Sequence, residues 1–234
     1  MFKYETHLHT SGCSACGVST AEEMVIAAKE HNYAGVIFTN HFYHGNTSVN
    51  RKLDWRDFVE KYERDYLKAL EVGKTLDIDV FFGFEEVYEP GKEVLVYGVG
   101  PEAVKEASFL RKADLQQLSD FVRENGGFIA AAHPFRRRDY IPQPEKEPDM
   151  RYLDAIEVYN SGNNEEDNKL AFEFAKRKNV PVISGGDIHS KAYFGYSGLA
   201  FNERLHTPEN LVKALKSQEY KLIINGNLVD FSEC

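Results

Sequence analysis

Five short runs in this chain, four of them largely apolar, each give way to a histidine or a carboxylate, and that placement limits the fold more than any other feature. Residues 2–6 lead into His7 and His9, 35–39 into His41, 80–84 into Glu85, 128–132 into His133, and 180–184 into Asp187 and His189. Runs this short and apolar read as strands buried on both faces. Further strands are expected over 94–99, 155–159 and 221–225. Segments of helical period lie between them. Ser19-Thr20-Ala21-Glu22-Glu23 offers a capping box, and Thr207-Pro208 sets a cap before a proline at the first helical position. A long charged amphipathic helix is expected over 54–76, another over 114–125 that stops at Gly126-Gly127, and a third over 165–179.

Alternation of this kind implies parallel strands joined by crossover helices, as a barrel or an open doubly wound sheet. No Gly-x-Gly-x-x-Gly follows the first run and no Walker-type loop is present, so the barrel is preferred. In a parallel barrel the carboxyl ends of the strands share one face, and all seven side chains named above would meet there. A length of 234 residues suits one domain over 1–234, with 42% hydrophobic content to fill its core. Three cysteines are too few for a disulfide framework. With no long apolar run and no signal-peptide pattern at the start, a cytoplasmic protein without a membrane partner is expected. The net charge of −9 argues against nucleic acid as a partner.

Any one of these histidines could be an ordinary hydrogen-bonded residue. Seven ionisable groups gathered at successive strand ends need a compensating partner. Imidazole and carboxylate together suit zinc, iron or manganese, and Cys16 of the Cys13-x-x-Cys16 pair could add sulfur. A redox role for that pair lacks a thioredoxin-like context. Arg136-Arg137-Arg138 follows His133-Pro134-Phe135, so a guanidinium could grip phosphate oxygens there, or the run could be a solvated loop. Arg136, nearest the histidine, is the first choice and Arg137 the second. His44 is either substrate-facing or a loop residue. Tyr193, Phe194 and Tyr196 either wall a pocket or pack the barrel mouth, in a stretch that Gly195 and Gly198 leave free to move.

The set His7-Leu8-His9-Thr10, Thr39-Asn40-His41, Gly83-Phe84-Glu85, His133-Pro134 and Gly186-Asp187-Ile188-His189 resembles the PHP (polymerase and histidinol phosphatase) family, in motif order over almost the whole chain. The resemblance implies a distorted (β/α)7 TIM-like barrel, two or three divalent transition metal ions and hydrolysis of phosphoesters. It places one metal on His7, His9, Glu85 and Asp187, a second on Glu85 and His133, and a third on His41 and His189. Cys16 stands near where many members carry histidine or aspartate, Glu93 where many carry histidine, and Asn40 where aspartate is usual. The implied reaction is hydrolysis of a small-metabolite phosphomonoester by metal-activated hydroxide, with His189 or His44 protonating the leaving alkoxide. Alternatives are a nuclease or nucleotide phosphohydrolase, a phosphotyrosine-protein phosphatase, and a non-catalytic metal-binding module.

Overall fold

In the computed structural model of the chain, which describes residues 1–233, a single curled sheet carries the architecture. Its strands are β1 (Phe2–Leu8), β2 (Gly35–Phe38), β3 (Asp79–Glu89), β4 (Lys92–Tyr97), β5 (Phe128–Ala132), β6 (Ala155–Asn160), β7 (Val182–Gly185), β8 (Leu199–Phe201), β9 (Tyr220–Ile224) and β10 (Asn227–Val229). Around it pack α1 (Ala21–Glu30), α2 (Trp55–Tyr62), α3 (Arg64–Leu76), α4 (Pro101–Glu106), α5 (Leu115–Glu124), α6 (Glu165–Lys178) and α7 (Pro208–Ser217). The strand order is β10-β9-β8-β1-β2-β3-β4-β5-β6-β7. The run from β1 to β7 curls until its ends touch. Leu8 bridges Ile188 in parallel, His9 donates its N–H to the Ile188 carbonyl (2.8 Å), and Ile188 donates back to His7 (3.0 Å).

Strands β2, β5, β6 and β7 are buried along their whole length; β2 and β5 have the unbroken apolar sequences this favours, and β6 buries Glu157 and Asn160 among its apolar residues. Helix starts are equally local. Thr20 and Glu23 form the capping box of α1, Asp114 and Gln117 that of α5, and Thr207 caps α7 ahead of Pro208. None of the helices among the described residues is long and apolar enough to cross a membrane.

The mixed α/β fold agrees with the barrel expectation in outline and departs from regular β/α alternation. Strand β4 runs antiparallel to both β3 and β5, and only Pro90 and Gly91 join it to β3. No helix lies between β5 and β6 among the described residues. Strands β8 and β10 were too short to stand out in the sequence. The single helix expected over 54–76 is two, broken at Glu63. Tyr62, the last residue of α2, donates its hydroxyl to the Asn40 carbonyl (2.5 Å), and α2 then packs on α4 whereas α3 packs on α1 and β3. Two different partners, not a breaker residue, divide the segment.

Before β8 the chain passes so close to β1 that only glycine fits. Gly198 has φ +112°, and a Cβ there would lie 2.2 Å from the Tyr4 carbonyl oxygen. Gly198→Ala is expected to destabilise the fold by about 3 kcal/mol, from strain and backbone displacement together. Denaturant unfolding of the variant would measure this.

Candidate metal centre

Seven side chains converge from the carboxyl ends of β1, β2, β5 and β7 and from the middle of β3, where Glu85 precedes four further strand residues. His7 closes on His9, their Nε2 atoms 3.2 Å apart. His7 Nε2 is 3.2 Å from Glu85 Oε1 and 3.5 Å from Asp187 Oδ1, and His9 Nε2 is 3.5 Å from Glu85 Oε2 and 3.0 Å from Asp187 Oδ1. Donors held about 2.1 Å from a common centre sit about 3.0–3.4 Å from one another, so these spacings match a coordination shell. Glu85 reaches two further rings, His133 Nε2 at 3.1 Å through Oε1 and His41 Nδ1 at 2.8 Å through Oε2. Four overlapping groups carry ligand atoms within 4.8 Å of one another: His7, His9 and Glu85; His7, His133 and Asp187; His9, His41 and His189; His41, Glu85 and Glu93.

The surrounding hydrogen bonds decide which nitrogen each ring presents. His7 Nδ1 meets Glu157 Oε1 (3.0 Å), an acceptor, so the proton sits there and Nε2 offers a lone pair. Ser14 donates its hydroxyl to Asn40 Oδ1 (2.9 Å), so it accepts from His9 Nδ1 (3.1 Å), and His9 Nε2 is bare too. His189 Nδ1 faces the Asp187 carbonyl (2.8 Å), leaving Nε2 turned to Cys16. These tautomers follow from the network. Three imidazole lone pairs aimed into one space with two carboxylates repel unless a cation lies between them. His41 Nδ1 and Glu85 Oε2 are buried with no hydrogen-bond partner despite lying 2.8 Å apart, as ligands to an ion would be.

Charge tells the same story. Burial alone would lower His7, but Glu157, Asp187 and Glu85 push it well above the ordinary imidazole range. His41 likewise overcomes burial through Glu85 and reaches about 11. Burial takes His9 down to about 3. Protons on two rings thus stand in for positive charge that the carboxylates demand. Divalent ions fit this donor set.

Solved structures share the fold. A two-domain protein from Bacteroides vulgatus containing a predicted PHP-like metal-dependent phosphoesterase matches with TM-score 0.72 at 16% identity, over 99% of this chain and 69% of that one. PsfC from Pseudomonas syringae matches with TM-score 0.61 at 16% identity, over 93% and 94%. An amidohydrolase from Chromobacterium violaceum, with bound sulfate and no metal, matches with TM-score 0.57 at 14% identity, over 96% and 98%. No curated protein matches the sequence. A PHP-associated family model matches residues 165–220, the stretch that carries Asp187 and His189. The chain shares its fold with these proteins and its 165–220 segment with the PHP-associated family model.

The other expected site residues divide. Glu93 joins the centre, its Oε1 3.8 Å from His41 Nδ1 and its Oε2 3.4 Å from His133 Nε2. It arrives from the amino end of β4, which only an antiparallel strand can bring to this face. Burial and the neighbouring Glu85 raise its carboxyl to about 8. Cys16 Sγ is 3.1 Å from His189 Nε2; burial would raise the thiol, but hydrogen bonds with His189 and His41 bring it down to about 6. Cys13 turns away to the Tyr62 carbonyl, so the two thiols are not paired, and Cys234 lies outside the described residues. Asn40 gathers the Thr10 N–H and the Ser14 hydroxyl on Oδ1 and braces the strand end.

The arginines also separate. Arg136 Nη1 binds Asp187 Oδ2 (2.7 Å), while Nε and Nη2 donate to Asn163 and Asn160. Its first task is to aim Asp187, and part of its five-donor fork stays available. Arg137 pairs through Nε with Asp167 at the start of α6 and lies outside the cavity above the metal centre. His44 lines that cavity, with Nδ1 3.3 Å from Glu86 Oε1 and Nε2 on the Arg111 carbonyl. Two buried carboxylates went unnoticed in the sequence. Glu157 of β6 holds His7 and the His133 N–H (2.9 Å). Glu5 of β1 accepts the N–H groups of Thr6, His7 and Gly186 and the Ser197 hydroxyl, tying β1 to the loop after β7. The available signal was an acid inside an apolar strand, where a lone charge is costly.

Proposed function

We propose that the chain is a metal-dependent phosphoesterase acting on a phosphomonoester of a small metabolite. One observation carries the reading: the donor atoms of His7, His9, Glu85 and Asp187 close to 3.0–3.5 Å around a shared point, with the tautomers of both histidines fixed toward it. The ligand set of His7, His9, Glu85 and Asp187, extended by His133, His41, His189, Glu93 and Cys16, suits two or three divalent ions. Such ions, when bound, supply charge to phosphoryl oxygens and make water nucleophilic near neutral pH.

The chain's own groups do the rest. A cavity of about 500 Å3 opens over the centre, lined by His41, His133, Arg136, Asp187 and His189, and it has room for a phosphoryl group with its ester oxygen. Arg136 presents its remaining N–H groups to phosphoryl oxygens while keeping Asp187 in place. His189 and His44 both line the cavity, each with its two ring nitrogens engaged, and either is the candidate to hand a proton to the leaving alkoxide. His189 commits Nδ1 to the Asp187 carbonyl and turns Nε2 to Cys16. His44 sits half-exposed on the cavity wall, and its hydrogen bond with Glu86 raises its pKa, favouring the protonated form that an acid needs.

Elemental analysis of the purified protein is expected to find two or three transition metal ions per chain. Hydrolysis of p-nitrophenyl phosphate should disappear on chelation and return with manganese, zinc or iron. Fewer than two ions and no turnover with any of the three metals would leave only a metal-binding module.

A further inference from the structure

A second cavity, of about 370 Å3, adjoins the one above the centre, and the two share Asp187 and His189 as a common wall. The lining changes in kind across that wall. On the far side stand the rings of Tyr159, Tyr193 and Tyr196 with Ile188, and no lysine or arginine is among the lining residues. Tyr193 and Tyr196 are 62% and 54% exposed, an unusual share for rings that would otherwise add to a core.

The cleft is built rather than loose. Tyr193 donates its N–H to the Ser190 carbonyl (3.1 Å), and Gly226 donates to the Tyr196 carbonyl (3.2 Å). The Tyr159 hydroxyl donates to Asn225 Oδ1 (2.9 Å) and accepts the Asn225 N–H (3.3 Å). That arrangement leaves the Asn225 amide nitrogen without a partner among the described residues, at the edge of the cleft.

We infer that this tyrosine-walled cleft is the subsite for the organic half of the substrate, and that this half carries a planar, uncharged ring. The inference rests on the phosphoesterase reading above. A phosphoryl group at the metal centre directs its ester substituent across the Asp187–His189 wall, and the volume beyond suits one or two rings. A second phosphate or a carboxylate would find no cation there and would face Asp187. A ring gains contact with exposed aromatic faces, and the Asn225 amide can donate to a heteroatom on its edge.

The test uses metal-loaded protein and two unhydrolysable probes, 2-phenylethylphosphonate and propylphosphonate, with binding followed by calorimetry. The phenyl compound is expected to bind about tenfold tighter, the order of one ring stacked on aromatic side chains. That preference should vanish in a Tyr193→Ala, Tyr196→Ala double variant and return when both positions carry phenylalanine. Equal binding of the two probes by the unaltered protein, or a preference indifferent to both tyrosines, overturns the subsite. Turnover of the matching phosphate esters, whose leaving groups are alike in acidity, is read separately. Equal turnover of both esters removes the subsite and leaves the hydrolase standing. Ring-selective binding without turnover keeps the subsite and removes the hydrolase.

Discussion

Glu85→Gln is expected to lower kcat/KM for any phosphate ester by about 10³-fold or more and to release at least one bound ion. Glu85 is fully buried, and each of its oxygens faces two imidazoles, His7 and His133 through Oε1, His9 and His41 through Oε2. Glutamine keeps the volume, so the core around β3 has no cavity to fill. It removes the negative charge that these rings surround and turns an N–H donor where two ligand atoms must accept a cation. Glu85 already sits well below the ordinary carboxylate range, since His41 and His7 outweigh its burial, so it is ionised at any pH of interest. Elemental analysis and steady-state kinetics on the same preparation measure the effect, with circular dichroism confirming the fold. A full complement of metal with unchanged kcat/KM would dismiss Glu85 as the shared ligand.

Much of this centre was legible because its ligands lie where buried strands stop. An apolar run followed by histidine or acid marks both the strand and the rim for His41, His133 and Asp187, whereas His7 and Glu85 lie within β1 and β3, which run on to Leu8 and Glu89. What stayed hidden has identifiable causes. Residues 94–97 are apolar whichever way β4 runs, and the one signature of its reversal is the Pro90-Gly91 turn, too short for a parallel crossover, so Glu93 itself could be suspected only through the family resemblance. The break at Glu63 arises from α2 and α3 packing against different neighbours, which no local pattern records. Arg137 could not be told from Arg136 because both follow His133 within four residues. Only the capture of Arg137 by Asp167, the third residue of α6, sends it away from the cavity.

Glu157→Gln is expected to weaken binding of the ion held by His7 by about 10–100-fold, the usual effect of losing a carboxylate behind a ligating histidine. The carboxylate has no spare capacity. Oε1 takes the His7 Nδ1 proton, and Oε2 takes the His133 N–H (2.9 Å) and the Asn160 side-chain amide (2.8 Å). A glutamine must set its own N–H2 against one of these donors. Facing the two donors at Oε2 is the worse choice, so the amide turns toward His7 and forces Nδ1 to accept. The imidazole proton then moves to Nε2, into the space where His7, His9 and Asp187 converge, and opposes a cation there. A shift of tautomer makes a prediction that loss of packing does not. Activity should recover toward the unaltered value as metal concentration is raised, with KM for the phosphate ester unchanged and the thermal midpoint restored at saturating metal. Titration of the apo variant with zinc or manganese gives the dissociation constant directly. A value equal to that of the unaltered protein would show that Glu157 serves only to bury β6 and leaves the orientation of His7 to its other neighbours.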